Sequence, residues 1–172
     1  MSLQYLLILI GAPGSGKSYF AERFSKNNNF EHINSDQVRQ KYFSNPRFSP
    51  SEKVKVYDKM FEIVEKSLVN NKNVIFDGNL VTNKVRNDIY ERFKTRSKVF
   101  FIYFNSTKEE ALQRAINRTR TEDNLYKPMP EDRAKRMHDR FEEIDEKLPH
   151  IVINGFDDYK MNEKLILSKF NL

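Results

Sequence analysis

The 172-residue chain contains no cysteine. That absence excludes a disulfide framework, a thiolate metal site and a thiol nucleophile, and it fits the reducing cytosol best. Long hydrophobic runs are also missing. The apolar run at residues 5–10 is far too short to cross a bilayer, and no Lys or Arg precedes it as in a signal peptide. We therefore expect a cytoplasmic protein without a membrane segment.

Glycine and proline are scarce, at five and six residues, and the chain has no internal repeat, low-complexity tract or linker. With 31% charged and 38% hydrophobic residues, the composition is that of a globular protein, and the length suits one domain over residues 1–172. The 30 basic and 24 acidic residues give a net charge of +6. This excess favours anionic partners such as nucleotides or nucleic acid, although many basic proteins bind neither.

Apolar runs that suit strands alternate along the chain with stretches of helical spacing. The first run is continuously apolar and is stopped by Gly11, as in a central parallel strand that is buried on both faces. Five strands alternating with helices require right-handed crossovers, so we predict an α/β fold, a three-layer sandwich around a five-stranded parallel sheet. The predicted strands are residues 5–10, 32–34, 74–77, 99–104 and 150–153.

Several helix boundaries can be predicted from capping residues. A capping box, Ser49-Pro50-Ser51-Glu52, opens a long helix whose buried stripe should include Val54. Pro130 opens a charged helix to about residue 147, and a last helix is expected over residues 162–170. Residues 119–130 are polar, basic and broken by proline, which predicts a mobile surface loop or lid.

The octamer Gly11-Ala12-Pro13-Gly14-Ser15-Gly16-Lys17-Ser18 matches the phosphate-binding loop Gly-x-x-x-x-Gly-Lys-Ser in full. It lies between a buried strand and an amphipathic helix, as that motif requires. Backbone N–H groups can gather the phosphates, Lys17 can reach the β and γ oxygens, and the Ser18 hydroxyl can ligate magnesium. We expect the octamer and Tyr19 to bind a nucleoside triphosphate, ATP with Mg²⁺. GTP is disfavoured because the nearest match to Asn-Lys-x-Asp, Asn83-Lys84-Val85-Arg86, lacks the carboxylate.

Two carboxylates follow predicted strands. Asp77 ends the third strand and is a candidate to hold magnesium, the alternative being a turn cap beside Gly78. Asp36 follows the second strand, and sites in parallel sheets form at the carboxyl ends of the strands, so it could accept the proton of an acceptor hydroxyl. The alternative is that Asp36, with Ser35, merely caps a helix. Arg39 would share its helix face and could clamp an anionic acceptor.

Cations for the transferring phosphoryl group are available at Arg114, Arg118 and Arg120. Their spacing allows at least two of them to project from the end of one helix into the lid. A lid that closes with arginines would exclude water and bring positive charge to the γ-phosphate when substrates are bound. The alternative is a solvated basic face.

Several motifs, which together span nearly the whole chain, occur in the same order as in the P-loop kinases, and the chain resembles that group. Within these, the resemblance is to the kinase domain of phage-type 5′-hydroxyl polynucleotide kinase and its AAA_33-like relatives. The motifs are Ile10-Gly11-Ala12-Pro13-Gly14-Ser15-Gly16-Lys17-Ser18, Ile33-Asn34-Ser35-Asp36-Gln37-Val38-Arg39-Gln40 and Asp77-Gly78-Asn79-Leu80, with weaker matches at Arg114, Arg118, Met129-Pro130-Glu131-Asp132 and Asn154-Gly155.

The resemblance implies the strand order 2-3-1-4-5 and a role for each matched residue. Asp36 looks like the general base, Arg39 like the clamp on the acceptor's phosphate, and Arg118 like the lid arginine. Asp77 and Asn79 look like the pair that orients Arg39, substrate or magnesium. The lid is longer than in the phage pattern, which leaves the acting arginine open, and the Asp-x-Asp-Gly-Thr motif of the attached 3′-phosphatase is absent.

Three functional hypotheses remain at this point. The first is ATP-dependent phosphorylation of the 5′-hydroxyl end of DNA or RNA. The second is phosphorylation of a small molecule such as a nucleoside, sugar or antibiotic, because the same scaffold serves such acceptors. The third is an ATP-binding or ATP-hydrolysing regulatory module that serves a partner.

Overall fold

The computed structural model describes residues 3–118 and 128–170, which contain five strands and seven helices. The strands are β1 (Tyr5–Ile10), β2 (Phe30–Asn34), β3 (Asn73–Asp77), β4 (Lys98–Phe104) and β5 (His150–Ile153). The helices are α1 (Lys17–Asn28), α2 (Ser35–Tyr42), α3 (Pro50–Val69), α4 (Asn83–Phe93), α5 (Lys108–Asn117), α6 (Glu131–Asp139) and α7 (Tyr159–Phe170).

The strands form one sheet in the order β2-β3-β1-β4-β5, and every neighbouring pair is parallel. In the central strand, Leu7 lies opposite Ile75 on one side and Phe100 on the other. The predicted α/β class and the implied strand order are confirmed. Because all strands run the same way, their carboxyl ends meet at one edge of the sheet.

Side chains of β1 alternate between two hydrophobic cores. Leu6, Ile8 and Ile10 face the core covered by α2, α3 and α4, whereas Leu7 and Leu9 face the core covered by α1 and α7. All five side chains are buried, and each contributes about 1.5–3 kcal/mol on transfer from water. This two-sided burial explains why β1 is a continuous apolar run rather than an alternating one.

Within the described residues, no helix is both long and apolar enough to cross a bilayer.

The expected burial of Val54 is wrong, since its side chain is 61% exposed. Only half of the predicted capping box forms: the Ser49 hydroxyl accepts a hydrogen bond from the Glu52 amide, but the Glu52 carboxylate accepts from the amides of Arg47 and Phe48. However, the Glu52 side chain turns inward, and the buried face continues through Val56 and Met60 at helical spacing. Val54 lies two positions from both Glu52 and Val56, which places it on the opposite face.

The helix predicted for residues 130–147 is also wrong in its extent, because α6 ends at Asp139. Beyond it, the chain binds other elements instead of continuing the helix. The Glu142 amide donates to the Val81 carbonyl at 2.9 Å, and the Asp145 amide donates to the Asn83 side chain at 3.1 Å. These tertiary contacts override the helical pattern.

Arg86 of α4, fully buried, fixes this segment. Its guanidinium donates to the carbonyls of Leu80 and Glu143, at 2.9 and 3.1 Å, and lies over the Phe141 ring. Further bonds reach the Val81 carbonyl and Asn83. The guanidinium thereby joins the segment after β3 to the segment after α6.

The last helix begins earlier than expected, at Tyr159 instead of residue 162. The Asp158 carboxylate accepts hydrogen bonds from the amides of Lys160 and Met161, so it supplies the cap that the sequence pattern did not reveal. The lid predicted for residues 119–130 lies largely outside the described residues.

Replacing Arg86 with Met should destabilise the protein by about 2–4 kcal/mol, because several buried oxygens lose their donor while most of the side-chain volume remains. Urea unfolding measures this difference. As a control, Arg96→Met should change stability by less than about 0.5 kcal/mol, since Arg96 is an exposed side chain in a 3.6 Å ion pair with Glu65. Equal effects of the two substitutions would contradict the role assigned to Arg86.

Candidate active site

The phosphate-loop motif forms a tight turn between β1 and α1. Gly14 has a φ of 86°, and a Cβ there would lie 1.9 Å from the Ala111 carbonyl oxygen of α5, so only glycine fits. Gly16, with a φ of 94°, is the N-cap of α1 and supplies no side-chain hydrogen bond. The first N–H groups of α1 therefore keep their capacity to bind an anion.

The Lys17 side chain folds back over this loop. It is 8% exposed, and Nζ donates to the carbonyls of Gly11 and Ala12 at 2.6 and 2.9 Å. Burial lowers the pKa of Lys17 to about 8, with the Asp77 carboxylate acting to raise it and the Arg118 guanidinium to lower it further. Arg118 and Lys17 line the same cavity.

Asp77, at the end of β3, is buried and held by two side chains of β2. The Asn34 amide nitrogen donates to Oδ2 at 2.7 Å, and His32 Nε2 contacts the same oxygen at 3.1 Å. Although burial alone would raise the pKa of Asp77, hydrogen bonds from His32 and Ser18 and the charge of Lys17 lower it below its usual value. The carboxylate is therefore ionised at neutral pH and held by side chains rather than acting as a turn cap beside Gly78.

Asn34 carries out two tasks with one side chain. Its Oδ1 accepts hydrogen bonds from the amides of Asp36 and Gln37, at 2.9 and 3.1 Å, which makes it the N-cap of α2. Because an oxygen must face these two donors, the amide nitrogen must face Asp77. The expectation that Ser35 or Asp36 caps this helix is wrong, and the Asp36 carboxylate is free for another task.

That carboxylate binds Arg39, one turn further along α2. Arg39 Nη1 donates to Asp36 Oδ1 at 2.8 Å, and Arg39 Nε donates to Glu52 Oε1 at 2.9 Å. Burial acts to raise the pKa of Glu52, but the amides of Arg47 and Phe48 and the Arg39 guanidinium lower it below its usual value. Two of the five N–H donors of Arg39 are used in these bonds, so the guanidinium retains donors for a further anion.

One cavity of about 420 Å³ brings the predicted groups together. It is lined by Pro13, Gly14, Gly16, Lys17, Ser18 and Tyr19 of the loop region and by Asp36, Asp77, Asn79, Arg114 and Arg118. Gly11, Ala12 and Ser15 do not line it, and Arg39 lines an adjoining cavity instead. Arg120 lies outside the described residues.

A second cavity, of about 360 Å³, continues from the first past Gly16 and Tyr19. Its walls include Arg114, whose guanidinium carbon lies 3.7 Å from the centre of the Phe156 ring. The planar guanidinium and the aromatic ring form a surface that suits a flat, aromatic group.

Sequence reasoning did not assign functional roles to His32, Glu52, His138 or Phe156. His32 could have been found because it lies two residues before Asn34 and therefore on the same face of β2. From the sequence, Glu52 could be recognised only as the last residue of the predicted capping box. His138 of α6 is buried and its Nε2 lies 3.0 Å from the Pro13 carbonyl, which must be the acceptor, so α6 is tied to the phosphate loop.

The donor set at the strand ends fits magnesium. In the two described ranges, no three His, Asp or Glu side chains form a cluster that could hold a metal ion by themselves. Magnesium commonly binds through one or two protein oxygens together with substrate phosphates and water. Ser18 and the ionised Asp77, which line the same cavity as Lys17, provide such oxygens.

The profile of the AAA domain family, AAA_33, matches residues 6–144. A chain in a structure described as the Pnkp1/Rnl/Hen1 RNA repair complex is 28% identical over 81% of this chain, with a TM-score of 0.66. The present chain covers 44% of the length of that one, which is less than half. No curated protein matches the sequence.

Two sugar-related kinases share the fold over nearly their whole length. A sugar kinase from Janibacter sp. HTCC2649 is 13% identical, covers 98% of this chain and is itself covered to 95%, with a TM-score of 0.73. A gluconokinase from Sinorhizobium meliloti 1021 is also 13% identical, with coverages of 99% and 95% and a TM-score of 0.66. At this identity the likeness concerns the fold alone.

Changing Asn34 to Asp should destabilise the protein at pH 7.5 by about 2–3 kcal/mol, because the capping oxygen stays but a second carboxylate replaces the donor to Asp77. The lost stability should return as the pH falls and one of the two carboxylates is protonated. Urea unfolding between pH 7.5 and pH 4.5, relative to wild type, measures this.

Asn34→Ser is the matched control, because it keeps a capping oxygen and adds no charge. It should cost about 1 kcal/mol for the lost hydrogen bond to Asp77, with little pH dependence relative to wild type. If N34D and N34S behaved alike at every pH, Asn34 would not be the donor that holds Asp77.

Proposed function

The chain belongs to the AAA domain family AAA_33, and we propose that it is a kinase that transfers the γ-phosphoryl group of ATP to a hydroxyl group. The preferred acceptor is the 5′-hydroxyl end of a polynucleotide. The observation that carries this proposal is that Asp36 lines the same cavity as Lys17 and Ser18 of the phosphate loop. A carboxylate beside the phosphate loop can receive the proton of an attacking alcohol.

In the proposed reaction, the acceptor oxygen bonds to the γ-phosphorus as the bond between that phosphorus and the β–γ bridging oxygen breaks. The hydroxyl proton passes to Asp36, and the leaving group is the nucleoside diphosphate. Asp36 is 45% exposed and is oriented by its bond to Arg39, so an acceptor can approach it. Arg39 uses its remaining donors to bind the phosphate next to the acceptor hydroxyl.

Charge on the transferring group is balanced by the loop amides, Lys17 and Arg118. Arg118 lines the same cavity as Lys17, which supports a position near the γ-phosphate. Magnesium, held by Ser18 and Asp77, would further neutralise the phosphate oxygens. Asp77 suits this task because Asn34 and His32 both bind Oδ2, which leaves Oδ1 uncommitted to β2.

The nucleobase is proposed to lie in the second cavity, against Tyr19, Arg114 and Phe156. A base stacks on guanidinium and aromatic planes without strong dependence on its identity. The sequence lacks the pattern Asn-Lys-x-Asp that binds guanine, which favours ATP as the donor, and the cavity wall also contains Asp157 and Asp158.

A polynucleotide acceptor is favoured by the net charge of +6 and by the similarity to a chain of an RNA repair complex. A small-molecule acceptor is the second candidate, because the sugar kinase and the gluconokinase match the chain almost from end to end. The first experiment therefore tests which class of acceptor is phosphorylated.

Purified protein with radiolabelled ATP and Mg²⁺ should label a 5′-hydroxyl oligonucleotide more efficiently than nucleosides or sugars. Asp36→Asn should lower kcat by roughly 10²-fold or more, because the proton acceptor is lost while the shape is kept. Asp58→Asn, an exposed change on α3, is the control and should have no effect. Labelling of sugars alone would reject the polynucleotide acceptor, and ATP hydrolysis without any labelled acceptor would reject the kinase.

Binding of Mg-ATP should be accompanied by proton uptake near pH 8. Free Lys17, with a pKa of about 8, is about half protonated there, and a bound triphosphate raises that pKa, so roughly half a proton is taken up. At pH 6.5 the amine is already charged and uptake should be close to zero. Calorimetry in two buffers of different ionisation enthalpy measures the uptake. Equal uptake at both pH values would contradict the prediction.

A further inference from the structure

A cavity of about 260 Å³ adjoins the main cavity on the side of Asp36. Its described lining residues include four cationic side chains and no carboxylate. We call it the basic pocket and define it by those four residues: Arg39, Lys53, Arg133 and Arg140. Ser35 and Asn79 line both cavities, so the two spaces are continuous at the carboxyl ends of β2 and β3.

The charges of the basic pocket are only partly balanced. Asp36 and Glu52 both pair with Arg39. Lys53, Arg133 and Arg140 have no carboxylate within 4.0 Å among the described residues. Four positive and two negative groups leave a net charge of +2 in this corner of the protein. A bound anion would offset this charge.

Holding these cations together has an electrostatic cost. Burial lowers the pKa of Lys53, and the nearby Arg39 lowers it further. Burial also lowers the pKa of Arg133, with Arg39 and Arg136 adding to the effect and Asp36 opposing it. Partly desolvated cations that repel one another are expected where a ligand supplies the missing negative charge.

The backbone beside the pocket is strained in a way that positions two of the cations. Phe48, a bulky residue, has a φ of 56°, which L-amino acids rarely adopt. Its ring lies 4.6 Å from the Arg39 guanidinium carbon and 4.4 Å from that of Arg133. The strain is held by Glu52, which accepts hydrogen bonds from the amides of Arg47 and Phe48. Local strain of this kind persists at sites where it has a function.

Tyr57 lies in the wall of the basic pocket and is 8% exposed. Burial raises the pKa of its hydroxyl, while a hydrogen bond with the Asn79 backbone acts to lower it. The hydroxyl therefore stays protonated and adds no negative charge to the pocket.

We propose that the basic pocket binds the second phosphate of the acceptor strand, counted from the 5′-hydroxyl end. This rests on the proposed kinase function and extends it. Asp36 receives the proton of the terminal hydroxyl, Arg39 binds the first phosphate, and Lys53, Arg133 and Arg140 bind the next one. The pocket thus selects acceptors with at least two consecutive phosphates over nucleosides, sugars and mononucleotides.

The test compares two acceptors that share the same 5′-terminal nucleoside with a free hydroxyl. One is a nucleoside 3′-monophosphate, with a single phosphate, and the other is a dinucleotide with a 3′-phosphate, which has two. At saturating Mg-ATP and low salt, kcat/KM for the two-phosphate acceptor should exceed that for the one-phosphate acceptor by about tenfold or more. The ratio should fall as salt is raised.

The double variant Lys53→Gln with Arg140→Gln should reduce this ratio to below about threefold. Lys55→Gln is the matched control, because Lys55 lies on the same helix, carries the same charge and is exposed away from the pocket. It should leave the ratio unchanged.

Failure of this inference is distinguishable from failure of the proposed function. If wild-type protein phosphorylates both nucleotide acceptors equally well, the kinase stands and the second-phosphate site is rejected. A ratio that the double variant keeps would reject it too. If neither nucleotide is phosphorylated but a 5′-hydroxyl oligonucleotide is, the kinase stands and the second-phosphate site is rejected. If the oligonucleotide is not labelled either, the polynucleotide function itself fails, and the pocket's assignment fails with it.

Discussion

The side-chain amide of Asn34 connects the two carboxylates on which the candidate site is built. Its oxygen starts α2 and so places Asp36 at the first turn of that helix, while its nitrogen binds Asp77 at the end of the neighbouring strand. Neither bond can be exchanged for the other, because only the oxygen accepts and only the nitrogen donates. The distance between the candidate base and the candidate metal ligand is therefore set by a single planar group at the edge of the sheet.

The site contains two regions of positive potential, and the groups that produce the potential differ between them. Around the loop, the positive character comes from backbone N–H groups and from a buried lysine whose pKa is already low. Around α2 and α3 it comes from arginines and lysines whose carboxylate partners are too few to neutralise them. Both regions gain from bound phosphate, but the first is a rigid cradle of backbone whereas the second is built from side chains.

Much of the fold could be predicted because strand burial and the phosphate-loop motif are local features. The run of residues 5–10 identifies a central strand without any knowledge of its neighbours, and Asp36 and Asp77 follow from the rule that strand ends meet at one edge. The exposure of Val54 could not be predicted in the same way. Its helix is amphipathic around a buried carboxylate, Glu52, whose partners lie in α2 and in the segment before α3. The early end of α6 likewise depends on Arg86, which is remote in sequence.

The phosphate loop is built from backbone groups and the basic pocket from side chains, and this difference has an evolutionary consequence. Gly14 cannot take a side chain without colliding with α5, so substitution in the phosphate loop is heavily restricted. Lys53 lies on α3, Arg133 lies in the first turn of α6, and Arg140 directly follows that helix. Replacing one of these side chains leaves the sheet and the phosphate loop untouched. A lineage could thus exchange its phosphate acceptor by a handful of point changes while its donor chemistry stayed the same. One ancestral scaffold could in this way diversify into enzymes that act on polymers and enzymes that act on metabolites.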